Sequence, residues 1–171
     1  MTLAFDAMKF AREAHKAQRR KYTNNPYIDH LAEVAGIMAT VTNQQREVAQ
    51  EIMVAVAWLH DCVEDQGITA HQLLAIAMPE DVVTGVILLS DLEQGNRAER
   101  KAASRARLAK APSWVQTIKC ADLISNTSSI VEHDPKFAVV YLEEKRLLLD
   151  VLKNADPRLL EIARSQTEAK P

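Results

Sequence analysis

The chain has 171 residues, of which 47% are hydrophobic, 26% charged and 5% aromatic, and its formal net charge is −2 at pH 7. This length predicts a single domain over residues 1–171 with a sizeable core. The small net charge provides no bulk attraction to nucleic acid or to an anionic membrane, and no apolar stretch is long enough to cross a bilayer. The first residues lack the basic and apolar regions of a secretory signal, so we expect a cytoplasmic protein.

Apolar residues at helical spacing, separated by polar residues, predict an all-α fold of seven to nine helices. No run of β-branched residues is bounded by turn signals, so we do not expect a sheet. In chain order, the predicted helices cover about residues 3–18, 30–41, 45–63, 69–78, 79–89, 97–110, 112–130, 135–152 and 157 onward. Asp29 is expected to cap the second of them, and Thr69 the fourth.

One predicted helix ends abruptly in ionisable residues. The apolar run 52–59 is followed by His60 and Asp61, and then by Glu64 and Asp65. A charge that leaves water must be paired, solvated or bound to a metal, because an isolated buried charge is very costly. If the helix continued, Glu64 and Asp65 would lie near the same face as the histidine and its neighbour. The segment is therefore predicted to be a metal site with its own acid/base group.

Two further positions complete a mixed set of nitrogen and oxygen donors. His30 opens the second predicted helix, and Asp122 interrupts an otherwise apolar helix, with Asn126 one turn beyond it. Two imidazoles and two carboxylates suit manganese, iron or zinc, with water completing the shell, and such a shell supports hydrolysis. Taken singly, His30 is also explained as a helix-start histidine bonded to backbone, and Asp122 as the buried partner of an arginine.

Several motifs occur in the order that one known family shows. They are Arg20-Lys21, Pro26-Tyr27-Ile28-Asp29-His30, Leu59-His60-Asp61-Cys62-Val63-Glu64-Asp65 and Lys119-Cys120-Ala121-Asp122-Leu123-Ile124-Ser125-Asn126. In these motifs, from about residue 4 to about residue 152, the chain resembles the hydrolase domain of the RelA/SpoT family. Its length is similar to that of a small alarmone hydrolase of the HD superfamily. The resemblance implies a helical domain built around a central metal site.

The resemblance also implies an activity and roles for residues. The activity is hydrolysis of the 3′-pyrophosphate of alarmones such as guanosine tetra- or pentaphosphate, usually with manganese. By motif position, the implied metal ligands are His30, His60, Asp61 and Asp122. The implied catalytic acids are Glu64 and Asp65, and the implied nucleotide contacts are Arg20, Lys21 and Asn126. We expect one divalent ion, manganese first, with zinc, iron or magnesium as alternatives.

Two departures from the family pattern leave the identity of the substrate undecided. Leu31 follows the first histidine where the family usually has proline, and Leu123-Ile124-Ser125 stands where the family has arginine-leucine-histidine. The alternatives are an adenosine alarmone, or another nucleotide with a 3′- or 2′-phosphate such as NADPH. A nucleotidase acting on nucleoside monophosphates and a non-catalytic alarmone-binding sensor are further alternatives. The expected partner is a small nucleotide, and the sequence is compatible with a homodimer.

Other polar residues have simpler interpretations. The basic run that begins at Arg97 is typical of a solvated helix face, although Arg97 or Lys101 at the mouth of a pocket would meet the 5′-phosphates of a nucleotide. His15 is expected in the core or behind the metal ligands. Cys62 and Cys120 lack the spacing of a metal site, so both are expected to be reduced and buried.

Overall fold

The computed structural model describes residues 2–41 and 50–168, and within these ranges the protein is helical and contains no β-strand. An isolated antiparallel bridge joins Arg19 to Pro26. The predicted all-α class is confirmed. The predicted start of the third helix, at Gln45, lies outside the described residues. No helix within them combines the length and the hydropathy that a membrane crossing requires.

The N-terminal unit comprises Met1–Arg20 and Asn24–Leu92. Its helices are α1 Leu3–Ala14, α2 Ile28–Ala39, α3 Gln50–Leu59, α4 Cys62–Gln66, α5 Ala70–Ala75 and α6 Glu80–Leu89. α3 packs against α1, α2 and α6, and its side chains Met53, Val56 and Leu59 are fully buried. Because burying such a side chain contributes about 1.5–3 kcal/mol, α3 forms the apolar centre of this unit.

The C-terminal unit comprises Lys21–Thr23 and Glu93–Pro171. Its helices are α7 Arg97–Leu108, α8 Ser113–His133, α9 Pro135–Leu149 and α10 Pro157–Ser165. α8 packs against α9 and α10, and its residues Val115 and Ile118 are fully buried. The core of this unit therefore lies along α8. The single domain over residues 1–171 stays a prediction.

The start of α2 differs from the expected one. The helix begins at Ile28, and Tyr27 occupies the N-cap position without a side-chain hydrogen bond. The amide of Asp29 already donates to the carbonyl of Pro26 at 3.1 Å, so the first turn closes earlier than predicted. The prediction that Asp29 caps this helix is therefore wrong. Its carboxylate instead lies in the first turn, where the helix dipole favours negative charge.

The junction between α4 and α5 follows the expected turn chemistry. Gly67 ends α4 in the left-handed region, with φ 65°, and its amide donates to the carbonyl of Val63 at 3.2 Å. Thr69 then caps α5 as predicted. Its side chain accepts from the Gln72 amide, and the Gln72 side chain accepts from the Thr69 amide at 2.8 Å.

Candidate metal centre

The helix predicted to run without a break through residue 63 is interrupted at His60 and Asp61. α3 ends at Leu59, and α4 begins at Cys62. In a continuing helix, the carbonyl oxygen of Ala57 would accept from the Asp61 amide; here this oxygen lies 2.8 Å from His60 Nδ1. A side chain that bonds the backbone locally competes with the helical ladder. The interruption therefore occurs at the two residues that were predicted to bind metal.

The contact with Ala57 also determines which ring nitrogen of His60 carries a proton. A carbonyl oxygen can only accept, so Nδ1 is the donor, and in the neutral ring Nε2 presents a lone pair. The His30 ring lies beside it, with the two ring centroids 5.3 Å apart and the planes at 69°. Both imidazoles are buried.

The Nε2 atoms of the two imidazoles converge on one carboxylate oxygen. Asp61 Oδ2 lies 3.5 Å from His30 Nε2 and 3.0 Å from His60 Nε2. Ligand atoms about 2.1 Å from a shared cation stand about 3.0–3.4 Å apart along an edge of an octahedral or tetrahedral shell. A lone pair and a carboxylate oxygen repel at such a distance unless a proton or a cation lies between them. The donor types and their spacing therefore fit a divalent metal ion.

Tyr27 orients the carboxylate of this group. Its hydroxyl donates to Asp61 Oδ2 at 2.7 Å. The Tyr27 ring is stacked on His15, with centroids 5.2 Å apart, and meets the edge of His30 at 5.4 Å. On the same ring, the Arg20 guanidinium carbon lies 6.0 Å from the centroid. The sequence analysis did not single out Tyr27. Its position three residues before His30, within a motif that was recognised, could have indicated that it lies beside the site.

The two predicted catalytic acids lie on α4, directly after the His60-Asp61 pair, and both side chains are exposed. Each is nevertheless tied to another segment of the N-terminal unit. Glu64 Oε2 accepts from the Asp91 amide at 2.8 Å, and Asp65 Oδ2 accepts from Gln18 Nε2 at 2.8 Å. The acids are therefore accessible to solvent and still restrained.

Asp122 and Asn126 lie one turn apart on α8, in the C-terminal unit, as their spacing predicts. Asp122 is buried; its Oδ1 accepts from Asn126 Nδ2 at 2.6 Å, and its Oδ2 accepts from Lys119 Nζ at 2.9 Å. A lysine thus takes the place of the arginine considered as an alternative partner. These two hydrogen bonds fix the orientation of the carboxylate. The role of Asp122 as a ligand stays a prediction.

Two cations proposed to meet phosphate are engaged within the C-terminal unit. Lys21 is exposed; its ammonium donates to the hydroxyl of Tyr22 at 3.2 Å and lies 3.8 Å from Asp134. The hydrogen bond to Tyr22 is the largest of the effects that raise the pKa of Lys21. Arg97 makes a two-pronged contact with Glu144, at 2.6 and 2.7 Å. The two N–H donors that Arg97 would offer a phosphate are therefore bound to a carboxylate.

Both cysteines are free and buried, as predicted. Burial raises the pKa of Cys62 and of Cys120 to about 12. Since the thiolate is the reactive form, neither side chain is suited to act as a nucleophile at neutral pH. His15 is buried too, in agreement with its expected place in the core.

Comparison with known proteins places the chain in a family. The HD domain model matches residues 7–140, and the chain belongs to the HD domain family. A relative from Synechocystis sp., named probable guanosine-3′,5′-bis(diphosphate) 3′-pyrophosphohydrolase, is 32% identical over 135 residues, which are 76% of this chain and 17% of that protein. The chain thus spans about a sixth of this relative.

Shorter relatives match along more of their length. The guanosine-3′,5′-bis(diphosphate) 3′-pyrophosphohydrolase MESH1 of Xenopus tropicalis is 28% identical over 135 residues, 78% of this chain and 73% of that protein. A solved structure, described as a metazoan ortholog of SpoT that hydrolyses ppGpp, superposes with a TM-score of 0.86 at 22% identity, covering 98% of this chain and 95% of that one. The resemblance to RelA/SpoT-type hydrolases and the HD fold are therefore confirmed.

Proposed function

We propose that this chain is a metal-dependent hydrolase that removes the 3′-pyrophosphate of an alarmone nucleotide and releases pyrophosphate. The observation that carries the proposal is the convergence of His30, His60 and Asp61, with two restrained acids on the helix that follows. The relatives named for this activity support it, as does the order of the motifs along the chain. The activity is proposed for guanosine tetra- and pentaphosphate first.

His30, His60 and Asp61 would hold the metal, and Asp122 is proposed as the fourth protein ligand. Its support is its motif position and its buried carboxylate, which offers an oxygen donor of the type that such metals bind. We propose one divalent ion, manganese first, with zinc, iron and magnesium as alternatives. When bound, such an ion supplies Lewis-acid activation of water.

The side chains of the chain itself have distinct tasks in this proposal. The carboxylate of Glu64 or Asp65 takes the proton of the attacking water, a contribution typically of about 10²–10⁴-fold. Arg20 offsets charge on the phosphate through its planar fork, and Lys21 adds a mobile positive charge. Asn126 contacts the ribose. The exposure of both acids on α4 is what such proton transfer needs, because substrate must reach them.

The choice of nucleotide rests on α8. Leu123 and Ser125, which stand where the family has basic and imidazole side chains, are buried. Neither carries a charge for a phosphate or a ring for a base. The adenosine alarmones and NADPH are therefore proposed as second substrates. A small nucleotide is the proposed partner, rather than a nucleic acid polymer or a membrane, and the two free cysteines suit a reducing compartment such as the cytoplasm.

Turnover by the purified chain tests the proposal. The substrates are guanosine and adenosine tetra- and pentaphosphates, NADPH and nucleoside monophosphates, each with manganese, magnesium and zinc, and products are separated by anion exchange. Glu64→Gln and Asp65→Asn change exposed side chains and are expected to lower turnover by about 10²–10⁴-fold. Glu161→Gln, an exposed site on α10, is the matched control and should retain wild-type activity.

Each alternative has its own result. Full turnover in both acid variants would show the catalytic assignment to be wrong. Orthophosphate from monophosphates would support a nucleotidase, and nucleotide binding without turnover under every metal would support a sensor.

Manganese affinity, measured by calorimetry, should fall in His60→Ala and in Asp122→Asn; an unchanged affinity in Asp122→Asn would remove this residue from the ligand set. Light scattering on the same samples determines whether two copies pair.

A further inference from the structure

A series of hydrogen bonds connects the core of the N-terminal unit to Asp65, one of the proposed catalytic acids. His15, at 1% exposure, places Nδ1 2.6 Å from Gln18 Oε1 and Nε2 3.5 Å from Cys62 Sγ. Gln18 Nε2 then donates to Asp65 Oδ2 at 2.8 Å. The contacts thus join a buried imidazole to an exposed carboxylate through a single amide.

The direction of these hydrogen bonds follows from the carboxylate. Asp65 accepts, so the Gln18 amide must present its nitrogen to Asp65 and its oxygen to the other side. On that side, Oε1 accepts from the Gln66 side-chain amide and faces His15 Nδ1. An oxygen without a hydrogen can only accept, so His15 Nδ1 is the donor. The reversed amide would bring two oxygens together at 2.8 Å, which excludes it.

The environment of His15 agrees with this tautomer. With the proton on Nδ1, the neutral ring presents the lone pair of Nε2 to the thiol of Cys62, which is a weak donor. The ring plane is held by Tyr27, stacked at 15°. The Cys62 thiol, the His15 ring and the Gln18 amide therefore each donate a hydrogen bond to the next group, and the last bond ends at Asp65. Neighbouring groups fix both the plane of the imidazole and the orientation of the amide.

We propose that Gln18 is a positioning residue that holds the carboxylate of Asp65 for the hydrolysis, and that His15, as its Nδ1–H tautomer, holds Gln18. This inference rests on the proposed function, because it takes Asp65 as a catalytic acid. α4 has only five residues, and an exposed aspartate on so short a helix would sample several rotamers. A hydrogen bond from a fixed amide limits this sampling before substrate arrives, which lowers the entropic cost of reaching the reactive geometry.

The tautomer is measured without any turnover. Nitrogen-15 NMR of the full chain, at a pH well above the ordinary titration range of histidine, distinguishes a proton on Nδ1 from one on Nε2. We expect Nδ1–H for His15 in the wild type and loss of this preference in Gln18→Leu. A wild-type ring with its proton on Nε2 would overturn the proposed network.

A double-mutant cycle tests whether Gln18 acts through Asp65. Gln18→Leu should lower kcat by about tenfold, with KM within about twofold, because binding contacts remain. In an Asp65→Asn background the same substitution should cause no further loss, since the effects of coupled residues do not add. Equal losses in both backgrounds would refute the positioning role. Gln94→Leu, at an exposed site, is the matched control.

Substitution of His15 separates positioning from packing. The side-chain amide in His15→Asn can replace the Nδ1–H donor, whereas His15→Leu removes it, so kcat should be higher in the asparagine variant. Equal kcat in two folded variants would count against the role of His15. The proposed function and the positioning role fail with different results. A wild type that turns over no nucleotide refutes the function. Turnover in the wild type, with the same loss of kcat from Gln18→Leu in both backgrounds, refutes only the positioning role.

Discussion

Lys145 is a cation buried in the core of the C-terminal unit. Its side chain is 1% exposed, and its ammonium donates to Thr127 Oγ1 and to Gln166 Oε1, both at 2.7 Å. Burial lowers the pKa of Lys145 from 10.5 to about 8, and the smaller effects of Cys120 and Asp122 oppose this change. The folded protein therefore holds this proton less tightly than the unfolded chain does.

The sign of the pH dependence follows from this difference. Between pH of about 8 and 10.5, the unfolded chain binds more protons at Lys145, so the free energy of unfolding rises with pH in this window. The gap between 10.5 and about 8, at 1.36 kcal/mol per pKa unit, corresponds to about 3 kcal/mol. This cost is fully present below pH of about 8 and is lost as pH approaches 10.5. The buried thiols, whose pKa is raised to about 12, oppose the rise once free cysteines ionise.

Replacement by methionine isolates the effect of Lys145. Lys145→Met keeps an unbranched side chain without a charge. Lys145 is one of the groups that lower the pKa of Cys120, but at about 12 this pKa keeps the thiol protonated in the folded protein up to pH of about 10 with or without the lysine, so ionisation of the cysteines largely cancels between the two proteins. From urea unfolding at pH of about 7 and about 10, the free energy of the wild type minus that of the variant should increase by about 2–3 kcal/mol with pH. Lys153→Met, at an exposed site, should show no such change. A difference that stays constant with pH would refute the lowered pKa.

Three further substitutions test local features. Tyr27→Phe keeps the ring but removes the hydroxyl that orients Asp61, so manganese affinity in calorimetry should fall by about tenfold, and an unchanged affinity would contradict this role. Gly67→Ala forces a side chain into the left-handed region at φ 65° and should cost about 1 kcal/mol in urea unfolding, whereas equal stability would argue against strain there. Thr69→Ala should cost about 1 kcal/mol through loss of the capping box, and Thr69→Ser should recover most of it; equal stability of the two variants would exclude the cap.

Helix positions were predictable where neighbours in sequence decide them. Thr69 and Gln72 bond each other within one turn, and Pro135 and Pro157 begin α9 and α10 because their fixed φ suits a first turn. The His60-Asp61 pair was likewise visible as ionisable residues at the end of an apolar run. In each case, the relevant interaction spans only a few residues, so the local pattern contains the information.

The break between α3 and α4 was not predictable in this way. It coincides with the contact between His60 Nδ1 and the carbonyl of Ala57, which the spacing of apolar residues does not encode. The partners of the two acids were equally hidden: Asp91 lies 27 residues from Glu64, and Gln18 lies 47 residues from Asp65. Spacing along a chain does not specify such pairs.

The sequence by itself determined the helical class, most helix starts and the residue types of the site, because periodicity and capping act over a few residues. Only the tertiary structure decided which atoms meet. It brought His30 and His60 onto one oxygen of Asp61, and it placed Tyr27 against Asp61 and Gln18 against Asp65. The physical reason is that a hydrogen bond requires a distance and a direction between particular atoms, and both arise only when separate helices pack.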